Sequence, residues 1–397
     1  MKNHLKLAYF AVLKLPTRMA NSVHVLKMCQ ALSRAGADLT LIASHRGPAE
    51  IHFADYGIRH RFRIKNIWMP PVRVLATVGY LVFSWFYLMG RRPQAIYTRD
   101  FWSSWIFGSL GVPIVYECHE DPLDGLRRFF LRRTLGCSQV KVVVVISEEL
   151  RRILLAKYGS FLRGKTLLVL PDGVDLDAYG DTVDRRHLKA SLRLDPARPW
   201  IGYTGSLFVG RGIEIILEAA RRLPAYGFLV AGGDDEELAS LRRVLAERGL
   251  NNVTCTGHYP HARIPGVLKA CDVLLMPYQR KVTLEKNRRD TAAYMSPLKM
   301  FEYMASGTPI VSSDLPVLRE ILTHEETAWL VAPDDVDGWC SAIQRLVESA
   351  DLAGGIAARA RERVRAYSWD RRARVVLEAL GRGRNAEDER SAHDARG

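Results

Sequence analysis

Cysteine is sparse and unpatterned: six in 397 residues, none in paired spacing. That excludes a disulfide framework and a Cys/His zinc site, and it predicts reduced core thiols in a cytoplasmic protein. Long hydrophobic runs are missing too. The most apolar stretch, residues 74–89, falls short of the roughly 20 residues a spanning helix needs. Residues 1–10 carry charge but no extended apolar core and no small-residue cleavage site, so no secretory leader is expected. The acceptor triplet Asn252-Val253-Thr254 then means little. Acid is the scarcer charge, 43 Asp+Glu against 57 Lys+Arg, giving +14 and a pI near 9.6. Such a surplus raises nucleic acid as a partner. No zinc-finger spacing, RNP-type aromatic motif or basic heptad region supports it, so no nucleic-acid partner is expected. Attraction to an anionic membrane surface, or to a polyanionic small substrate, accounts for the charge better.

What is present suits two α/β domains: 48% hydrophobic and 25% charged residues in a chain too long for one ordinary core. Residues 5–10 read as a buried strand, 14–21 as a loop, and Val23, Leu26, Ala31 and Leu32 as the inner face of a helix, with a second strand at 39–43. That order opens a doubly wound sheet, which binds ligands at the carboxyl ends of its strands. Strands follow at 95–98, 142–146 and 167–170, and residues 113–121 read as a strand running into a polar loop. A polar, proline-containing stretch reads as a linker, and a second series of strands begins at Trp200. The domain plan is 1–182, a linker at 183–199, a second domain at 200–366, a helix at 367–381 returning to the first domain, and a charged tail at 382–397 expected to lack order.

One stretch organises the chemistry. Ser296 suits an N-cap, Pro297 the first helical position and Gly307 the residue past the end of a short helix. Amides exposed at its start would hold an anion, with Lys299 adding charge beside them. Glu302, one turn on, could hold a pair of hydroxyls. A phosphate at the cap and a diol below it describe a nucleoside diphosphate. The alternative is a capped helix with one incidental ion pair. Upstream, the loop Gly205-Ser206 to Gly212 holds Arg211 between a strand and a helix, as a pyrophosphate would require. It fits neither Gly-x-Gly-x-x-Gly nor the P-loop.

The segment 296–311 resembles the nucleotide-sugar site of the retaining GT-B glycosyltransferases of family 4. The resemblance implies two Rossmann-like domains facing a cleft and a nucleoside-diphosphate-sugar donor. It implies no cofactor and no metal, the helix start and basic residues replacing a cation. Glu302 matches the second Glu of an E-x7-E motif that holds the ribose; Tyr294 stands where the first is expected. Arg211 matches the second of two basic residues, and Ser206 replaces the first, so that Lys299 would supply the missing charge. Ser296, Pro297 and Leu298 would present the helix amides to the distal phosphate. Gly232 falls in a family-like turn near the nucleotide, and Tyr259 is placed to stack on the base or to be a plain turn residue. His119, ending a strand, corresponds to a His that positions donor sugar and acceptor; Glu117 and Glu120 compete for that role. Arg18 and Asn21 fall on the acceptor side.

Three regions admit two readings each. Residues 74–89 form either a buried helix or one partly facing lipid, with Trp85 and Tyr87 at the interface. The aromatics of 101–105 are core or acceptor wall. Arg127, Arg128, Arg132 and Arg133 lie on a solvated helical face or a headgroup-facing patch. The polar stretch 278–294 reads as a mobile lid. The expected reaction is transfer of a sugar, with retention, to a glycan or lipid-linked acceptor, at the cytoplasmic side and peripheral to the inner membrane face. A sugar-nucleotide epimerase or hydrolase of the same fold, and a non-catalytic nucleotide-binding protein, are the alternatives.

Overall fold

The computed structural model describes residues 4–17, 19–45, 53–68, 73–122, 124–180, 183–284 and 287–394. The chain forms two compact units, Met1–Pro171 with Trp369–Gly397, and Asp172–Ser368.

The first unit is built on seven strands: β1 (Lys6–Lys14), β2 (Asp38–His45), β3 (Arg63–Trp68), β4 (Ala95–Thr98), β5 (Ile114–Cys118), β6 (Val140–Val145) and β7 (Thr166–Val169). They pair in parallel in the order β3-β2-β1-β4-β5-β6-β7. Helices α1 (Ala20–Arg34), α2 (Arg73–Arg91), α3 (Phe101–Phe107), α4 (Gly125–Gly136) and α5 (Glu148–Tyr158) make the crossovers. The β-branched run of β6, buried except for a half-buried Lys141, is what a strand covered on both faces requires. Strand order reverses between β1 and β4, opening a crevice at their carboxyl ends.

The second unit repeats the plan with β8 (Trp200–Thr204), β9 (Gly227–Ala231), β10 (Val253–Gly257), β11 (Val273–Met276), a hairpin of β12 (Thr283–Leu284) and β13 (Asn287–Asp290), then β14 (Ile310–Ser313) and β15 (Trp329–Val331). Its six-stranded sheet runs β10-β9-β8-β11-β14-β15, reversing between β8 and β11. Its helices are α6 (Arg185–Ser191), α7 (Ile213–Arg222), α8 (Asp235–Glu247), α9 (Ile264–Lys269), α10 (Leu298–Ser306), α11 (Pro316–Arg319), α12 (Val336–Glu348) and α13 (Ala350–Arg363). Along β9, Phe228 and Val230 enter one hydrophobic cluster and Leu229 and Ala231 the other, the period of two that puts core on both sides of the sheet.

The last helix, α14 (Trp369–Asp394), belongs to the first unit. Arg372 anchors it: one terminal nitrogen lies 2.9 Å from the carboxylate of Glu117 on β5 and donates to Leu170 O (3.0 Å), while Nε donates to Pro171 O (3.0 Å). Arg372 and Glu117 are 4% and 0% exposed, so each is the other's compensation for leaving water.

Several expectations are revised. The units part at Pro171 and Asp172 rather than at 182, because Val174 already donates its N–H to Tyr367 O. The expected linker 183–199 holds α6, whose Lys189 is buried against Asp272 at 2.8 Å. Helix α14 runs to Asp394, and its residues 382–394 are polar but rich in the helix formers Arg, Glu and Ala. The stretch 278–294 carries a hairpin, tied by Thr283 N–H to Val209 O and by Gln279 N–H to Gly210 O. Residues 74–89 are neither wholly core nor wholly surface: Tyr80, Leu81, Ser84 and Leu88 are buried while Phe83 and Phe86 are exposed.

Arg372→Met should strip Glu117 of its nearest full positive charge and destabilise the fold by about 3–5 kcal/mol, the cost of an orphaned buried charge. Urea unfolding of the full chain measures it; a loss under about 1 kcal/mol would show that Glu117 is held by its other partners.

Candidate active site

In the second unit the chemistry collects where strand order reverses, at the carboxyl ends of β8 and β11. β8 runs into Gly205 and Ser206, β11 into Pro277 and the buried Tyr278. Gly205 (φ 131°) and Gly232 (φ 135°) bring two strand-end loops into backbone contact. A Cβ on Gly232 would fall 2.0 Å from Gly205 O, and one on Gly205 would fall 2.7 Å from Lys299 Nζ, so only glycine fits both. Tyr203 steadies the loop by donating its hydroxyl proton to Ser206 O (2.6 Å).

Two cations meet here. The Lys299 ammonium sits 3.9 Å from the Tyr203 ring centroid and 5.4 Å from that of Tyr278. The Arg211 guanidinium lies 5.1 Å from the same Tyr278 centroid, and its buried Nε has no hydrogen-bond partner. Burial, then the Arg211 charge, pushes Lys299 well below the usual lysine range, against a smaller pull from Glu302. Lys299 opens α10, whose amides at Leu298 and Lys299 precede the first helical bond, Met300 N–H to Pro297 O at 3.0 Å. One turn on, the buried Glu302 places Oε1 2.6 Å from Nε2 of His261. Its other oxygen has no partner among the described residues. Half-buried cations, helix-start amides and a carboxylate oxygen without a partner among the described residues suit a diphosphate flanked by a diol.

In the first unit a polar hub lies under the end of β5. One oxygen of Glu117 faces Nε2 of His119 (2.5 Å), Nε2 of His24 (2.9 Å) and Arg372 (2.9 Å); the other accepts from the Tyr97 hydroxyl. Burial alone would raise this carboxyl, but Arg372, His24 and His119 hold it well below the ordinary range. Burial and the Arg99 guanidinium push His119 down, to about 4, against the pull of Glu117. Arg99 in turn donates to Asn21 Oδ1 (2.5 Å). His24, Glu117 and His119 could each offer a ligand atom within 4.8 Å of the others. Tetrahedral ligands about 2.0 Å from a metal stand roughly 3.3 Å apart, and here both imidazoles crowd one oxygen that Arg372 already shares. The arrangement fits a hydrogen-bonded hub better than a coordination shell.

Two family models match the chain in tandem. The one described as Glycosyltransferase Family 4 covers residues 22–178, and the one described as Glycosyl transferases group 1 covers residues 198–349. The chain belongs to the GT-B glycosyltransferases of the family 4 type. It is 27% identical over 270 residues to the phosphatidyl-myo-inositol mannosyltransferase of Mycolicibacterium smegmatis, covering 65% of this chain and 62% of that protein. It is 25% identical over 306 residues to the D-inositol 3-phosphate glycosyltransferase of Mycolicibacterium paratuberculosis, covering 70% and 65%. The match thus spans less than two thirds of either relative's length. Among solved structures, sucrose-phosphate synthase from Thermosynechococcus elongatus aligns with a TM-score of 0.72 at 20% identity, over 98% of this chain and 100% of that one. Anabaena HepE in complex with UDP and glucose aligns with a TM-score of 0.71 at 16% identity, over 94% and 100%. At these identities the structural likeness carries the fold: two Rossmann-like domains.

Within this family 4 chain, Gly205, Ser206, Arg211, Gly232, Leu298, Lys299 and Glu302 share one unit and one sheet edge. Ser296 is not the cap: its Oγ accepts from Asp172 N–H (2.9 Å), and Pro297 takes the cap position without a side-chain bond. Tyr259 packs half-buried on the core with Arg263 5.4 Å from its ring centroid. Glu117 is wholly buried and Glu120 pairs with Arg127 at 3.6 Å, leaving His119, side chain 22% exposed, as the more accessible of the hub's acid–base groups. Arg18 lies outside the described residues. Sequence reasoning missed Tyr203, Tyr278, His261, His24 and Arg372. Two tyrosines at strand ends of a doubly wound sheet were a usable signal; the pairing of His261 with Glu302, 41 positions apart, had none.

Because folded His119 titrates near 4 and an unfolded histidine near 6.5, the unfolded chain binds the extra proton between those values. Stability from this group is therefore complete above pH 6.5 and falls as pH drops towards 4. Urea midpoints measured across that window should fall less steeply for His119→Gln than for the wild type. An imidazole resonance of His119 titrating at 6.5 would contradict the assignment.

Proposed function

We propose that the chain moves a sugar from a nucleoside-diphosphate-sugar to an acceptor hydroxyl with retention of anomeric configuration. The observation that carries this reading is the convergence of Arg211 and Lys299 on the Tyr278 ring at the start of α10. Two positive side chains and the first amides of a helix stabilise charge developing on a leaving diphosphate, the largest contribution in chemistry of this kind. Lys299 then supplies the charge absent at Ser206. Glu302, oriented by His261, holds the ribose hydroxyls. Gly205 and Gly232 keep room for the phosphates, and Tyr259 borders the base.

No first motif glutamate faces the sugar, since Tyr294 stands there and is buried. In this reading the acceptor oxygen attacks the anomeric carbon from the side the phosphate leaves, and a departing phosphate oxygen takes its proton. His119, neutral and held by Glu117, orients sugar and acceptor, with Asn21 and Arg18 on the acceptor side. The role needs no cation, because side chains and helix amides carry the charge. A lipid-linked or cell-surface glycan acceptor is favoured by the likeness to a phosphatidyl-myo-inositol mannosyltransferase. Such an acceptor would place the protein at the cytoplasmic face of the inner membrane.

A thermal-shift panel of UDP-, GDP- and ADP-sugars tests the donor site, a ligand at 100 times its Kd adding about 2.7 kcal/mol. Arg211→Ala, Lys299→Ala and Glu302→Ala should each abolish most of the shift. Lys299→Ala should also lower turnover by about 10²–10³-fold. His119→Ala should keep the shift and lose transfer. Equal shifts in wild type and the two cation variants would overturn the reading, and rapid donor breakdown without acceptor would indicate a hydrolase or epimerase.

A further inference from the structure

Eight of the fourteen exposed large apolar side chains among the described residues belong to three consecutive helices of the first unit, α2, α3 and α4. On α2 they are Val78, Val82, Phe83, Phe86 and Met89, of which Phe83 is 63% and Phe86 57% exposed. Their spacing makes one stripe, opposite the buried stripe of Tyr80, Leu81, Ser84 and Leu88. A helix apolar on both sides has one face for the core and a second face with no use in water.

The surface does not stop at α2. The indole N–H of Trp85 donates to Ser109 Oγ (3.0 Å) just beyond α3. On α3, Trp102 and Trp105 lie 4.0 and 6.2 Å, centroid to centroid, from Phe130 of α4. Trp105, Leu126 and Phe129 extend the exposed apolar area at 50%, 62% and 48%. Charge follows the same helices. No Asp or Glu occurs between Arg73 and Arg92, nor between Gly125 and Gly136, whereas α4 carries Arg127, Arg128, Arg132 and Arg133. Arg132 and Arg133 are exposed, with the Arg133 guanidinium 5.2 Å from the Phe129 centroid. At the far end of α2, Arg91 and Lys65 lie 5.7 and 5.8 Å from the Tyr87 centroid. Arg127 is paired with Asp124 (3.4 Å) at the start of α4 and with Glu120 (3.6 Å). But aromatic and aliphatic side chains edged by Arg132 and Arg133, on helices that hold no Asp or Glu of their own, match a boundary of acyl chains below and anionic headgroups above.

We propose that the α2–α3–α4 face docks on an anionic phospholipid bilayer, α2 lying in the interface with Phe83 and Phe86 inserted among the acyl chains. No helix among the described residues is long and apolar enough to cross a membrane, so the contact is peripheral. A second copy of the chain is the poorer occupant, since a two-fold interface would set this predominantly basic face against itself. The inference stands apart from the glycosyl-transfer reading, because vesicle binding is measured with neither donor nor acceptor.

Co-sedimentation of the full chain with phosphatidylcholine vesicles, with and without 30% phosphatidylglycerol, tests it. The wild type should partition at least about tenfold better onto the anionic vesicles, and 0.5 M salt should weaken binding. Phe83→Asp with Phe86→Asp should lower partitioning about tenfold while leaving circular dichroism and nucleotide-sugar thermal shifts unchanged, both positions being already exposed. Arg132→Glu with Arg133→Glu should remove the preference for anionic lipid. Equal partitioning onto both vesicle types would overturn the proposal, as would unchanged binding in both double variants. Dimerisation in sedimentation velocity that the Phe pair abolishes, without vesicle binding, would assign the face to a second copy and also overturn it.

Discussion

Two like charges held together with no ion pair to either, and only the weaker pull of Glu302 on Lys299, set the terms for the second unit. Lys299 and Arg211 both lie within about 5.5 Å of the centre of the Tyr278 ring. Neither forms an ion pair among the described residues. Those two distances, 5.4 and 5.1 Å, cap their separation at about 10.5 Å, where an effective dielectric of about 20 gives a repulsion of at least about 1.6 kcal/mol. Contacts with the faces of Tyr203 and Tyr278, each worth about 0.5–2 kcal/mol, offset that repulsion without neutralising it. The tyrosines thus hold a positive site open. A carboxylate paired directly with either cation would have neutralised it.

The rest of the unit makes that pairing possible. Reversal of strand order at β8 and β11 places the Gly205 loop beside Tyr278. Contact between Gly205 and Gly232 keeps side chains out of the space above the ammonium. Thr283 and Gln279 fasten the hairpin to the same glycine loop, and Thr204 N–H donates to the Tyr303 hydroxyl on α10 (2.8 Å), locking strand and helix in register. The first unit solves the opposite problem. There a buried carboxylate, Glu117, is fully compensated by Arg372, two imidazoles and a phenol, and it orients His119 rather than binding a ligand itself. One centre is left electrostatically incomplete and the other closed, which suits the separate roles proposed for them.

Much of this was legible in the sequence, because it rests on local signals. Buried strand runs, the glycine loop, Arg211 and the α10 stretch with its Gly307 terminator (φ 74°) all follow from spacing and backbone preference. Resemblance to family 4 then supplied roles for Glu302 and His119. What escaped was non-local. Ser296 was a sound N-cap by composition, yet its hydroxyl is engaged by Asp172, 124 positions away. Arg372 looked like one more charge on a polar helix, since nothing in its neighbours says which arginine turns inward. For residues 74–89, composition alone could not say that a second apolar stripe would remain uncovered. For the tail from 382, low hydropathy argues against a core, not against a helix.

The lysine itself reports most directly whether the Lys299–Arg211 pair binds a diphosphate. In protein carrying isotopically labelled lysine, the Lys299 titration can be followed by NMR with and without saturating UDP, GDP or ADP. A depressed pKa in the free protein that rises when one of these diphosphates binds is the expected result. A Lys299 that titrates normally in the free protein, or does not respond to a diphosphate shown to bind, would contradict the account.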